Sequence, residues 1–332
     1  NLNSLVAIKE YFPQAYAHRD RSRSIHRLAD IAPVYRQRRA RLIALIRGRH
    51  DDPIAAQWRD ARYAHCGKCA WCSHEIESRR DVWQVAGLTG TQWSRLGAAG
   101  IETLDELAET PPGTAVDGIG ATTLDSLRTQ ARLQQRARAG EPPPVEWVRP
   151  AALAALPDPS TGDIFFDFEG DPLSSEPDAS GTPRWGPDYL FGLVEADGAF
   201  RAFWAHDHAE EGAALAAFLD YLRERRAQHP DLHVYHYAAY ERTHLLSLAA
   251  RHGIGEDEVD QLLRESVLVD LYPIVRAALR LGSSSYSIKK LEPLYQPDAR
   301  TGADVADGGA SVDEYARAMA AREAGDTAET ER

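Results

Sequence analysis

The chain has 332 residues, of which 43% are hydrophobic, and its formal net charge at neutral pH is −12. That length is enough for one sizeable core of about 150 residues with smaller units attached to it. The sequence contains no apolar run of roughly 18 residues and no signal-like start, so we expect a soluble, cytoplasmic protein that does not associate with a membrane.

The first sixty residues are mostly helical in pattern, and arginines are concentrated in the first fifty. Guanidinium groups suit phosphate, so one interpretation of this segment is contact with nucleic acid. A solvated helical face is an equally good interpretation of the same residues. The first sixty residues contain no strand that ends in an Asp and Glu-x-Lys pattern.

All the cysteines lie in one short stretch, Cys66-Gly-Lys-Cys69-Ala-Trp-Cys72. Three thiols in seven residues exclude an internal disulfide framework and favour metal ligation in a reducing compartment. The spacing is typical of iron-sulfur proteins, in which the fourth thiolate comes from elsewhere. Zinc is the alternative, because His65 or His74 could complete a site of three cysteines and one histidine. Cysteines without a metal are the third interpretation.

The next unit resembles a helix-hairpin-helix, with one half at 96–107 and the other at 116–127. The Gly118-Ile-Gly120 turn allows backbone N–H groups to approach a phosphate at the start of a helix. Small helical pairs of this kind also serve as plain spacers, so nucleic-acid contact stays one of two interpretations. Residues 141–159 are rich in proline and alanine and are predicted to be a linker.

Two acids end a strand of apolar residues in the stretch Asp163-Ile-Phe-Phe-Asp167-Phe-Glu169. Asp167 and Glu169 alternate with phenylalanines, so the geometry of a strand places both carboxylates on one face. Carboxylates side by side repel each other unless a cation lies between them. The pattern therefore predicts a divalent-metal site, and an ordinary solvated strand end is the alternative.

The rest of the chain predicts strands and helices in alternation. Asp197-Gly198 is a hairpin signal between two strands, and later strands are each followed by a helix. The fold class is therefore α/β: a ribonuclease H-like mixed sheet with flanking helices, preceded by a mainly helical N-terminal region. The predicted elements are strands at 189–194, 199–204, 232–237 and 266–269, and helices at 210–228, 238–252 and 271–281.

These motifs resemble the DEDD-type exonuclease domain of the ribonuclease H superfamily that is attached to RecB-like nucleases in large bacterial proteins. The fourth acid of that family is expected in a helix beyond Ser311, and the chain has no matching motif, since Asp313 and Asp326 lie in the wrong context. The stretches that carry the resemblance are Phe166–Glu169, His236–Glu241, Ser285–Leu291 and Ala303–Val312.

The resemblance implies a site for two Mg²⁺ or Mn²⁺ ions and hydrolysis of phosphodiesters. Asp167 would bridge the ions, and Glu169 and Glu241 would each hold one of them. Asp270 is expected to cap the helix that follows it, with metal ligation as the less favoured role. His236 would either orient a water molecule or simply be packed.

The cysteines resemble the end of a RecB-like nuclease domain, in which three cysteines and one upstream cysteine hold a 4Fe-4S cluster. Here the fourth ligand would lie outside this chain, and we expect an internal fragment of a longer protein with a helicase further along. The implied substrate is nucleic acid, single-stranded DNA in particular, degraded from 3′ to 5′. The alternative function is an inactive nucleic-acid-binding or scaffold module with a structural iron-sulfur or zinc site. The predicted domains are 1–80 (remnant of the RecB-like domain), 81–140 (helix-hairpin-helix-like), 141–160 (linker) and 161–332 (ribonuclease H-like, truncated).

Overall fold

A computed structural model describes the chain over residues 28–51, 57–60, 65–171, 174–177, 183–296 and 308–324. The first 27 residues of the arginine-rich segment, Asp326 and the stretch 303–307 lie outside these residues. The chain divides into two compact units, residues 1–66 and 67–332. The domain boundaries given above stay a prediction.

The described residues of the N-terminal region are mainly helical, as predicted. Helix α1 belongs to the first unit, and the others belong to the second. No helix among the described residues has the length and apolar character that crossing a bilayer requires. The helices are α1 (Leu28–Asp51), α2 (Ala70–Ser78), α3 (Gly90–Ala98), α4 (Leu104–Glu109) and α5 (Ala121–Gln135).

Side-chain caps explain where two of these helices begin. The side chains of Thr89 and Thr103 each accept a hydrogen bond from the backbone N–H three residues later, and the side chains of Gln92 and Glu106 accept one from the backbone N–H of the cap residue. Such capping boxes satisfy backbone donors that a helix start would otherwise leave unpaired. Helix α5 differs, because it follows Gly120 and has no side-chain cap.

The segment predicted to be a linker contains a short strand, β1 (Val145–Trp147), and a 3₁₀ turn at Pro150–Ala155. Strand β1 pairs antiparallel with a strand late in the chain, so the segment is tied into the second unit.

A five-stranded mixed sheet forms the centre of the second unit, and it consists of β2 (Ile164–Gly170), β5 (Asp188–Glu195), β6 (Phe200–Trp204), β7 (Val234–His236) and β8 (Leu268–Asp270). The strand order is β6-β5-β2-β7-β8. Strands β2, β5 and β6 form an antiparallel meander, and β7 and β8 run parallel to β2, in agreement with the predicted mixed sheet. Outside this sheet lie β3 (Ser175–Pro177), β4 (Pro183–Trp185) and β9 (Leu279–Leu281). The helices of this part are α6 (His208–Gln228), α7 (Tyr240–His252), α8 (Glu256–Arg264), α9 (Leu271–Ala278), α10 (Ile288–Leu291) and α11 (Gly308–Ala324).

The core lies between one face of this sheet and the helices. The alternate residues of β2 that point away from the acids are buried and pack on α6. Phe166 stacks on Phe218 with ring centroids 4.4 Å apart. Burying these rings on one face leaves the other residues of the strand, among them Asp167, on the opposite face.

Two details of the predicted elements are wrong. The helix expected through Leu281 ends at Ala278, and the next three residues form strand β9, which pairs with β1. The apolar pattern of this stretch suits a helix and a buried strand equally, and the partner strand is more than one hundred residues earlier in the chain. Helix α8 was also not predicted; its buried Val259 and Leu262 pack in the core.

Replacing Phe218 with alanine should lower the free energy of unfolding by about 3–5 kcal/mol, because the ring is fully buried in the core. Phe200, whose side chain is 66% exposed, is the matched control, and Phe200→Ala should change the stability by no more than about 0.5 kcal/mol. Urea denaturation of both variants measures the difference. Equal losses would contradict the placement of the core on this face.

Candidate active site

Strand β2 presents the first two predicted acids on the face of the sheet that is turned away from the core. Asp167 retains solvent-accessible surface and Glu169 is half-buried, while Phe166 and Phe168, which alternate with them, are buried. In the pairing with β5, Asp167 lies opposite Gly192, so no side chain stands directly across from its carboxylate. The sequence prediction that these acids share a face is confirmed by this register.

The third acid, Glu241, lies in the first turn of helix α7 and is buried. Just before this helix, Ala238 has a left-handed φ of 72°, which turns the chain from β7 into α7. The Ala238 N–H donates to Asp270 Oδ1 at 2.9 Å. This bond between the ends of neighbouring strands therefore stabilises the turn that positions Glu241.

Asp167 and Glu241 come into direct contact, although they are far apart in the sequence. Their side chains are close enough to share a hydrogen bond when one of the two carboxyl groups carries a proton. Burial raises the pKa of Asp167 to about 7, and the charge and hydrogen bond of Glu241 and the charge of Glu169 act in the same direction. An acid that is both accessible and partly desolvated is suited to binding a ligand from solution.

Glu169 has different neighbours. Burial raises its pKa, and two groups oppose this: a hydrogen bond with Ser311 and the positive charge of Lys289. Ser311 is on α11, and its hydroxyl also lies 2.7 Å from the hydroxyl of Tyr189. Glu169 therefore acts on Asp167 through its charge, while its own hydrogen bond holds it toward α11.

Asp270 caps helix α9, as the sequence predicts. Its Oδ1 accepts hydrogen bonds from the N–H groups of Tyr272 and Ala238, both at 2.9 Å. The same oxygen therefore begins one helix and stabilises the turn before another.

His236 is buried at the end of β7, and its ring is hydrogen-bonded to neighbouring residues. This agrees with the interpretation that His236 is a packed residue. Its Nδ1 lies 2.7 Å from the carbonyl oxygen of Ala238 and 3.1 Å from Glu241 Oε2. Since a carbonyl oxygen only accepts, Nδ1 carries the hydrogen. Burial by itself would lower the pKa of His236, but the bond and charge of Glu241, with smaller contributions from Ala238 and Asp270, raise it.

Sequence reasoning missed an aromatic pair beside the acids. Tyr240 stacks on His244 with ring centroids 3.8 Å apart, and His244 Nδ1 donates to the buried Asp188 at 2.7 Å. Burial raises the pKa of Tyr240 well above its usual range, and so do four nearby carboxylates: Asp188, Glu169, Asp167 and Glu241. Helical spacing from Glu241 was a usable signal for His244, three residues later, whereas Asp188 and Ser311 become neighbours of the site only through tertiary contacts.

The three cysteines form a second possible metal site. The Sγ atoms of Cys66, Cys69 and Cys72 all lie within 4.8 Å of one another. Gly67 has a φ of 69°, a conformation that favours glycine in the tight turn between the first two thiols. Cys69 caps helix α2, and Cys72 is buried in that helix.

No histidine joins this group among the described residues, and Asp167, Glu169 and Glu241 do not form a comparable group there. His65 Nε2 accepts a hydrogen bond from the backbone N–H of Arg59 at 3.2 Å. The cysteine trio could thus bind a metal, and the identity of that metal is not decided by the geometry.

The raised pKa of Asp167 implies that the stability of the protein depends on pH. Its folded pKa of about 7 exceeds the value of about 3.9 for an unfolded chain, so the folded state binds the proton more tightly. This contribution to stability is present below about pH 4 and is lost as the pH rises toward 7. In EDTA, the free energy of unfolding should therefore fall more steeply across this range in the wild type than in Asp167→Asn.

Urea denaturation at several pH values measures this difference, with Asp167→Asn as the control for all other carboxylates. Mn²⁺ should raise the stability of the wild type more above pH 7 than at pH 5, because the ion replaces the shared proton. Parallel pH profiles for the two proteins would contradict the contact between Asp167 and Glu241.

Comparison with known proteins agrees with this geometry. The model of the family described as RNase_H superfamily matches residues 164–327, which begin with β2 and contain all three acids. No curated protein and no solved structure matches the chain. Residues 164–327 therefore match the RNase_H superfamily in sequence and have a ribonuclease H-like fold, which suggests a nuclease-like module.

Proposed function

We propose that the ribonuclease H-like domain is a metal-dependent exonuclease that degrades single-stranded DNA from 3′ to 5′. The observation that carries the proposal is the contact between Asp167 on β2 and Glu241 on α7, with the charge of Glu169 beside it. We also propose that the domain works within a larger DNA-processing protein that contains a RecB-like nuclease region and a helicase.

The proposed ligands are hard carboxylate oxygens, which suit Mg²⁺ and Mn²⁺. Asp167 would contact two ions, and Glu169 and Glu241 one each, with Asp270 as a less favoured addition. The shared proton between Asp167 and Glu241 supports this assignment, because a cation can replace a proton that keeps two carboxylates together.

When bound, two such ions activate a water molecule and stabilise the leaving oxygen of a phosphodiester. The protein's own contribution is to hold the ligands in place. His236 holds Glu241, Ser311 holds Glu169, and Asp270 holds the turn before α7. Tyr240 keeps its phenol proton and can donate a hydrogen bond to a phosphate oxygen that enters the site.

Replacing Asp167 with alanine should lower the Mn²⁺-dependent degradation of single-stranded DNA by at least about 100-fold, or about 2.7 kcal/mol in the barrier. The reason is that this residue would contact both ions. Gel analysis of a 5′-labelled oligonucleotide measures the rate and shows whether the products shorten from the 3′ end. Asp220→Ala is the matched control, because Asp220 is an exposed acid on α6 that forms an ion pair with Arg223.

Full activity of the Asp167→Ala variant would refute the proposed site. Products that shorten from the 5′ end would refute the proposed 3′ to 5′ polarity but not the assignment of the acidic site. A wild type that binds single-stranded DNA without cleaving it would favour the alternative function, an inactive nucleic-acid-binding or scaffold module. One observation already favours that alternative: among the described residues, the three acids are not gathered into one group of metal ligands.

For the cysteine trio, we propose a 4Fe-4S cluster whose fourth ligand lies outside this chain. The support is the Cys-x-x-Cys-x-x-Cys spacing together with the close approach of the three sulfur atoms. The competing metal is Zn²⁺, with a fourth ligand such as a histidine.

Protein purified without oxygen should be brown, with absorbance near ~400 nm, if these cysteines hold iron and sulfur. Cys69→Ser should lose the colour and the bound iron, since a serine hydroxyl is a poor replacement for a thiolate. Elemental analysis of the wild type measures the metal directly. A colourless protein that contains stoichiometric zinc would show that the cluster assignment is wrong.

A further inference from the structure

A positive charge lies beside the carboxylates, on a segment to which the proposed mechanism assigns no role. Lys289 belongs to the short helix α10, and its side chain is exposed. Its charge acts on the carboxylate of Glu169 and opposes the effect of burial there. The lysine is therefore within electrostatic reach of Glu169 and accessible to a molecule that approaches that carboxylate.

Buried contacts hold the segment around Lys289 in place. Tyr286 and Leu291, on either side of the lysine, are buried in a cluster that also contains Leu281. The Tyr286 hydroxyl accepts a hydrogen bond from the Leu281 N–H at 3.1 Å and donates one to Gln130 at 3.2 Å. Lys289 therefore lies on a segment that buried side chains and hydrogen bonds hold in place.

The same segment is bonded to the turn that leads to the third acid. The hydroxyl of Tyr237 donates to the carbonyl oxygen of Tyr286. Burial raises the pKa of Tyr237 to about 12, so the phenol remains a donor at neutral pH. Because Tyr237 follows β7 and precedes Glu241 by four residues, this bond places the start of α10 next to the acid-bearing turn.

The charge of the site makes a nearby cation useful. Three carboxylates repel the phosphate groups of a nucleic acid, and bound metal ions offset that repulsion only where they sit. An exposed ammonium group next to the carboxylates attracts the phosphate groups that flank the metal ions. Within the part of the chain that the structure describes, Lys289 forms no ion pair, whereas Arg223 and Arg226 form ion pairs with acidic residues.

We propose that Lys289 binds a backbone phosphate of the nucleic acid strand beside the acidic site. This inference rests on the proposed function and adds a substrate contact to it. A lysine acts on phosphate as a point charge and carries no information about the bases. The contact should therefore strengthen binding of every sequence to the same extent.

Lys290 is a matched control. It follows Lys289 directly, is also exposed and has the same charge, whereas the lysine whose charge acts on Glu169 is Lys289. Adjacent residues on a helix point in directions about 100° apart, so the two ammonium groups do not face the same surface. A loss of net charge affects both variants equally, and only contact with the substrate distinguishes them.

The test measures binding of fluorescent single-stranded DNA by anisotropy, in Ca²⁺ to prevent cleavage, over a series of KCl concentrations. Each phosphate contact contributes about 0.7 to the slope of log K against log salt for a single strand. Lys289→Met should reduce the slope by about 0.7 and weaken binding several-fold at low salt for every sequence tried, while Lys290→Met should match the wild type. Lys289→Arg should restore the slope.

Equal slopes for Lys289→Met and Lys290→Met, in a protein whose wild type binds and cleaves DNA, would overturn the inference alone. The same conclusion follows if Lys289→Met changes only the Mn²⁺ concentration that activity requires, because the lysine would then balance the charge of Glu169. Failure of the wild type to bind DNA at all would overturn the proposed function, and this inference with it.

Discussion

The close approach of the carboxyl groups of Asp167 and Glu241 is the interaction on which the candidate site depends. It joins the central strand of the sheet to the first turn of helix α7. Two carboxylates tolerate such a close approach only when a proton or a cation lies between them. The fold thus holds the acids in an arrangement that is unfavourable when both are charged, and this is the property that a cation-binding site requires.

The surrounding structure supports this arrangement by holding Glu241 and Glu169 from different elements. His236 at the end of β7 holds Glu241, Asp270 at the end of β8 stabilises the turn before it, and Ser311 on α11 bonds to Glu169. Parallel strands end at the same edge of a sheet, so these supporting groups meet there. The core on the opposite face supplies the rigidity, because its stacked rings leave β2 no freedom to rotate.

The cysteine trio and the acids differ in how far local sequence determines them. Cys66, Cys69 and Cys72 meet because a glycine turn and one helical turn bring nearby residues together. Such a site can be predicted from spacing alone, although the metal cannot, since iron-sulfur and zinc sites use the same thiolates. The acids needed more than spacing. Only the period-2 relation of Asp167 and Glu169 was visible locally, and Glu241 was connected to them by resemblance to a family.

Sequence by itself determined the alternation of β2, the hairpin after β5, the cap at Asp270 and the α/β class, because each follows from local periodicity or turn chemistry. It predicted wrongly where helix α9 ends, and it did not predict α8. Tertiary structure decided that Leu279–Leu281 pairs with β1, that Asp167 touches Glu241, and that Ser311 and Lys289 lie beside Glu169. Contacts between distant segments depend on which surfaces pack together, and no local pattern of residues encodes that choice.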